Sequence, residues 1–116
     1  MPNTYTQLHI HIVFAVQNRN SLITENIRER VEKYMSGVIS HKKQKLLAIY
    51  AMPDHTHLLI GIQPSIAISD LVKEIKTSTT NFINTEKLVP NKFAWQEGFG
   101  AFACSKSHTA NTIEYI

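Results

Sequence analysis

Two apolar runs, Leu46–Met52 and His55–Ile62, are separated only by Pro53-Asp54, and this break constrains the fold more than any other feature of the chain. So short a connection joins neighbouring antiparallel strands, because a parallel pair needs a crossover of about a dozen residues or more. Proline pre-sets the backbone of the turn, and aspartate suits a tight turn because its side chain bonds the local backbone. A β-hairpin therefore stands near the middle of the chain, and the other elements must arrange around it.

Upstream, Thr6–Ala15 alternates: Leu8, Ile10, Ile12 and Phe14 share one face, with Gln7, His9, His11 and Val13 on the other. That is the pattern of a half-buried strand. After the polar Gln17–Asn20 loop, Thr24 caps a helix running to about Ser40, with Ile27, Val31, Met35 and Val38 or Ile39 along one stripe. Beyond the hairpin, Gln63-Pro64-Ser65 breaks the chain. Ser69 caps a second helix with the stripe Leu71, Ile75, Phe82 and Ile83, and Pro90-Asn91 closes that region. Phe93–Ser105 reads as a fourth strand, broken or bulged at Gly98 and Gly100, and Ser107 caps a last helix from near Thr109. This order predicts an α+β fold, the ferredoxin-like split βαβ (β-α-β-β-α-β), as a single domain over residues 1–116. Its sheet is antiparallel, the first and third strands are central neighbours, and both helices lie on one face.

A chain of 116 residues has room for one core. Its net charge of +3 and pI of about 9.1 are mildly basic, compatible with nucleic acid without requiring it. No apolar run reaches membrane-spanning length, and Met1–Thr4 lacks the start of a signal peptide, so a cytoplasmic protein with no membrane partner is expected. The single Cys104 excludes an internal disulfide and a multi-cysteine zinc site, and reads as a small semi-buried strand residue.

Six histidines in so short a chain are unusual, and four fall in two H-x-H pairs. His55 and His57 point to the same face of their strand, about 7 Å apart at the backbone, and can close on one divalent metal. Imidazole suits Mn, Zn, Fe, Ni or Cu, and Mg when oxygen ligands complete the shell. Asp54 can add an oxygen or orient a ligand from behind. On spacing alone, such a pair is more often incidental than a metal site. His9 and His11 repeat the spacing without a carboxylate or turn beside them, and read as structural or as lining a substrate surface. Tyr115 falls on a polar stripe with Asn111 and His108, although a tyrosine so near a chain end is usually a packing residue. Lys42, Lys43 and Lys45, with Lys73 and Lys76, could meet a phosphate backbone, whereas charge runs are normally solvated surface. Among the aromatics that could stack on bases, Phe93 and Trp95 fit core packing better than Phe99 does.

Taken together, the ordered motifs resemble a family. They are His-Ile-His-Ile-Val-Phe at 9–14, Met-Pro-Asp-His-Thr-His-Leu-Leu at 52–59 and Leu-Val-Lys-Glu-Ile-Lys at 71–76. Trp-Gln-Glu-Gly-Phe-Gly-Ala-Phe at 95–102 and Ile-Glu-Tyr-Ile at 113–116 complete the set. The set is similar to the single-tyrosine transposases of the HUH nuclease superfamily, encoded by small bacterial insertion sequences and by REP-associated elements. The resemblance implies DNA transposition through metal-dependent cleavage and strand transfer of single-stranded DNA. His55 and His57 would hold Mg²⁺ or Mn²⁺, and Tyr115 would be the nucleophile that forms a 5′-phosphotyrosine. It further implies a homodimer that recognises hairpin DNA at element ends. Two departures stand out. Thr56 replaces the usual bulky apolar residue between the histidines, and is expected to point away from them. The family continues its last helix beyond the tyrosine and commonly supplies a third ligand there, whereas this sequence ends one residue after Tyr115. A catalytically inactive remnant that only binds hairpin nucleic acid is therefore the alternative expectation.

Overall fold

The computed structural model of the protein describes residues 8–63, 65–104, Ile113 and Ile116. In chain order these form β1 (Leu8–Ala15), α1 (Glu25–His41), β2 (Lys45–Ala51), β3 (His55–Ile62), α2 (Ile68–Thr85) and β4 (Gly100–Cys104). The strands make an antiparallel sheet in the order β2-β3-β1-β4, so β1 and β3 are the central partners. The expected α+β arrangement is therefore present.

Alternation along the two central strands decides which side is core. Ile10, Ile12 and Phe14 of β1 and Leu58, Ile60 and Ile62 of β3 pack against Ile27, Val31, Met35 and Ile39 of α1 and Leu71, Val72, Ile75 and Ile83 of α2. Each such side chain stabilises the fold by about 1.5–3 kcal/mol on burial. Both helices thus cover one face, and the register leaves His9, His11 and Val13 of β1 beside His55, His57 and Leu59 of β3 on the other. Among the described residues no helix is long and apolar enough to cross a membrane.

Three local details differ from expectation, each for a physical reason. Thr24 stands at the cap position of α1, but its hydroxyl bonds the Asn26 side chain and caps no backbone N–H. Helix α2 starts at Ile68, with Ala67 rather than Ser69 at the cap. Ile68 packs against the core, so its burial outweighs the capping preference of a serine one residue on. The fourth strand is limited to Gly100–Cys104. Phe93 cannot join a ladder, because the Asn84 side chain takes both its backbone groups: Phe93 N–H donates to Asn84 Oδ1 at 2.7 Å and Asn84 Nδ2 donates to the Phe93 carbonyl at 3.2 Å. Trp95 keeps only an isolated bridge to Val16, and Gly98 turns the chain at φ +90, a conformation glycine adopts without cost.

Candidate metal site and adjoining cleft

Strand β3 presents His55 and His57 on the face away from the helices, while the intervening Thr56 is fully buried on the core side, as expected. Its Oγ1 meets no hydrogen-bond partner among the described residues. The two imidazoles converge: His55 Nε2 and His57 Nε2 are 3.1 Å apart, with the rings edge to face.

Each ring is held from behind. Asp54 Oδ1 accepts from His55 Nδ1 at 2.7 Å, and Asp54 Oδ2 accepts from Arg19 Nη2 at 3.0 Å. The His55 hydrogen bond, and secondarily the Arg19 guanidinium, keep the Asp54 carboxyl below its usual range. Arg19 adopts φ 55, a left-handed conformation that costs a non-glycine residue about 1–2 kcal/mol and that the Asp54 pair helps to hold. On the other ring, His57 Nδ1 lies 3.0 Å from Nε2 of His11, with the two rings edge to edge at a centroid distance of 5.2 Å and 26° between their planes. Burial first, and then the neighbouring His55 and His11, hold the His57 pKa below the ordinary histidine value. Burial does the same for His11. Both shifts favour the neutral imidazole that binds metal.

The donor set fits a divalent ion. Two nitrogens about 2.1 Å from an ion and at right angles to one another are separated by about 3.0 Å, close to the spacing of the two Nε2 atoms. Among the described residues, no group of three or more His, Cys, Asp or Glu side chains is arranged to share an ion. Asp54 thus serves the pair as an orienting partner of His55.

Beside the histidines opens a cleft of about 510 Å³, bounded by Arg19, Glu97, Gly98, Phe99 and Phe102. Its lip is fixed from below. Lys76 Nζ donates to the carbonyls of Gln96 at 2.9 Å and Gly98 at 2.8 Å, and Gln96 N–H donates to the Ala15 carbonyl at 2.7 Å. Burial lowers the Lys76 pKa, an effect that the nearby Glu97 opposes. Phe99 and Phe102 are 40% and 59% exposed, so their faces are open to a ligand. Phe93 is wholly buried and Trp95 packs edge-on to it and to Phe14, as their spacing suggested.

The lysines do not gather around the histidines. Lys45 pairs with Gly61, at the opposite end of β3 from His55, and Lys42 bonds Glu74 across the two helices at 3.5 Å. Lys43 and Lys73 are exposed, while the Lys76 ammonium is committed to the two loop carbonyls. Tyr115 lies outside the described residues. Sequence reasoning did not find the contact of His11 with His57, the Arg19–Asp54 pair or the exposed Phe102. The repeated H-x-H spacing was the advance signal, and placing β1 next to β3 brings both pairs to a shared face.

Known proteins share this fold. The family described as "Transposase IS200 like" matches residues 4–116. The ISDra2 transposase TnpA of Deinococcus radiodurans is 23% identical over 115 residues, covering 95% of this chain and 82% of that protein. A crystal structure of a D. radiodurans R1 protein assigned as a transposase superposes with a TM-score of 0.79 at 21% identity, covering 99% of this chain and 92% of that one. A REP-associated tyrosine transposase bound to a REP hairpin superposes with a TM-score of 0.72 at 17% identity, covering the whole of this chain and 68% of that one.

Proposed function

The chain belongs to the IS200-like transposase family, and from that premise we propose that it cuts and rejoins single-stranded DNA through Tyr115. The observation that carries this reading is the convergence of His55 Nε2 and His57 Nε2 to 3.1 Å beside an open cleft. A divalent cation held there, Mg²⁺ or Mn²⁺, would polarise the scissile phosphate and offset the charge that builds on it. Asp54, braced by Arg19, keeps His55 oriented for that task.

In this reading the Tyr115 phenol gives up its proton and its oxygen attacks phosphorus. The bond to the 3′ oxygen breaks and that oxygen takes up a proton, leaving a 5′-phosphotyrosine and a free 3′-hydroxyl. Attack by a 3′-hydroxyl on the phosphotyrosine then rejoins strands and frees the phenol. Phe99 and Phe102 offer their faces to unstacked bases at the cleft. Lys42, Lys43, Lys45 and Lys73 are the candidates for contacts to hairpin phosphates, and a homodimer presents two such sites to paired element ends.

The test is a denaturing gel of the protein incubated with Mn²⁺ and labelled single-stranded hairpin oligonucleotides taken from the DNA flanking the gene. A protein-linked labelled band, lost in Tyr115→Phe and in His57→Ala, is the expected result. Nicking that survives Tyr115→Phe would overturn the tyrosine mechanism. Hairpin binding with no adduct would leave a non-catalytic binding module.

A further inference from the structure

The His9-Ile10-His11 motif of β1 has no task in that reading, yet His11 touches one of its two proposed metal ligands. We infer that His11 is a positioning residue: its Nε2 accepts a hydrogen bond from Nδ1–H of His57, fixing the tautomer whose Nε2 lone pair faces His55. The inference rests on the reading that His55 and His57 together hold a divalent cation.

Three observations carry it. First, His55 is settled by its partner. An ionised carboxylate only accepts hydrogen bonds, so Asp54 Oδ1 at 2.7 Å places the proton of neutral His55 on Nδ1 and leaves its Nε2 with a lone pair. Second, His57 repeats the arrangement with a different partner. Its Nδ1 meets His11 Nε2 at 3.0 Å, on the far side of the ring from the Nε2 that lies 3.1 Å from His55. Each converging nitrogen is thus backed by a hydrogen bond at the other nitrogen of its ring. In the other tautomer, His57 Nε2–H would donate to His55, consuming both of the nitrogens a metal needs. With the His11 proton on Nδ1, its Nε2 lone pair disfavours that state. Metal-bound histidines are commonly oriented this way, by a group that takes up the second ring N–H.

Third, His11 stands on rigid ground. It occupies β1, bonded on both sides, opposite Leu59 of β3 and Phe102 of β4. His57 lies opposite Val13, two residues along, which is the diagonal position at which long side chains meet across a sheet. The His57 ring at its edge and the Phe102 ring, 6.1 Å away and tilted, flank the imidazole. The two ligands consequently have unequal supports, a carboxylate behind His55 and a neutral imidazole behind His57.

The deciding experiment is a long-range ¹H–¹⁵N correlation of the imidazoles in the metal-free, full-length protein, above the histidine titration range. It is paired with Mn²⁺ calorimetry on wild type, His11→Phe and His11→Gln. Wild-type His57 is expected as the Nδ1–H tautomer. Phenylalanine keeps an aromatic ring of similar bulk but removes the acceptor, so His57 should shift toward Nε2–H and Mn²⁺ affinity should fall about 10–100-fold. Glutamine restores an acceptor near the Nε2 position and should restore both readings, a rescue that a purely packing role for His11 does not predict. An Nε2–H tautomer in wild-type His57 would overturn the inference even if the phenylalanine variant failed to fold. So would unchanged tautomer and affinity in a folded His11→Phe. Wild-type protein with the Nδ1–H tautomer but no Mn²⁺ binding would instead sink the metal reading and leave the His11 assignment standing.

Discussion

Arg19 and Asp54 meet through one carboxylate oxygen: Nη2 and Nε of Arg19 both donate to Asp54 Oδ2, at 3.0 and 3.2 Å. The other oxygen is left to His55. The carboxylate therefore has one oxygen for anchorage and one for orientation, and the two can be separated by mutation. Asp54→Asn keeps the shape and removes the charge behind His55, so Mn²⁺ affinity by calorimetry should fall about 10–100-fold. Arg19→Gln leaves Oδ1 in place and should weaken binding less. Equal losses in the two variants would show that the anchor, not the charge, is what matters.

Lys76 and Lys73 lie three residues apart on α2 and should behave as opposites. Lys76→Met removes two charge-assisted hydrogen bonds to the Gln96 and Gly98 carbonyls. The pair is part-exposed, so a stability loss of about 1–2 kcal/mol in urea is expected, with the salt slope of DNA binding unchanged. Lys73→Met should be neutral to stability and, where Lys73 meets a phosphate, should lower that slope by about one. A reduced slope in folded Lys76→Met would mean that its ammonium reaches DNA.

Much of the fold was legible because it rests on local pattern. The Pro53-Asp54 turn, the alternation of Leu8–Phe14 and the stripe from Ile27 to Ile39 each act within a few residues. What the sequence did not disclose depends on partners distant in the chain. Asn84 removes Phe93 from the sheet, and the core takes Ile68 into α2 ahead of Ser69. His55 and His57 were readable as a pair from spacing, and their family role came from resemblance. The hold on His57 depends on His11, which only the register of β1 against β3 brings near.

Phe99 and Phe102 are exposed at the cleft, so truncating them should leave the fold intact. Base stacking contributes about 1–3 kcal/mol per base, and Phe99→Ala or Phe102→Ala should weaken single-stranded DNA affinity by about tenfold. Fluorescence anisotropy with a labelled oligonucleotide reads this directly, and denaturation midpoints matching wild type would confirm an intact fold. Unaltered affinity in both variants would exclude them as a stacking platform.

Glu74 supplies a pH dependence separate from His55 and His57. Ser78 Oγ donates to its carboxylate at 2.9 Å and Lys42 lies 3.5 Å away; in that order they hold its pKa below the ordinary glutamate value. A carboxylate depressed in the folded state contributes stability above its unfolded pKa and loses it as pH falls through the folded value. The urea midpoint of wild type should therefore decline on acidification below about pH 4.5, and Glu74→Gln should flatten part of that decline. Parallel acid limbs in the two proteins would remove Glu74 as the cause.

The placement of the histidines also orders the assembly of the site in time. Asp54, His55 and His57 belong to one hairpin, which closes in about 1–10 μs, whereas His11 is 46 positions from His57 and reaches it only after β1 docks. A nascent chain with the hairpin formed and β1 still detached holds both nitrogens without the His11 contact to His57. On the proposed metal reading, an ion captured at that stage would be held loosely, and insertion of β1 would tighten the grip. In a refolding experiment, a fast weak Mn²⁺ phase should precede a slow tight one, and a single phase would mean that the site forms all at once.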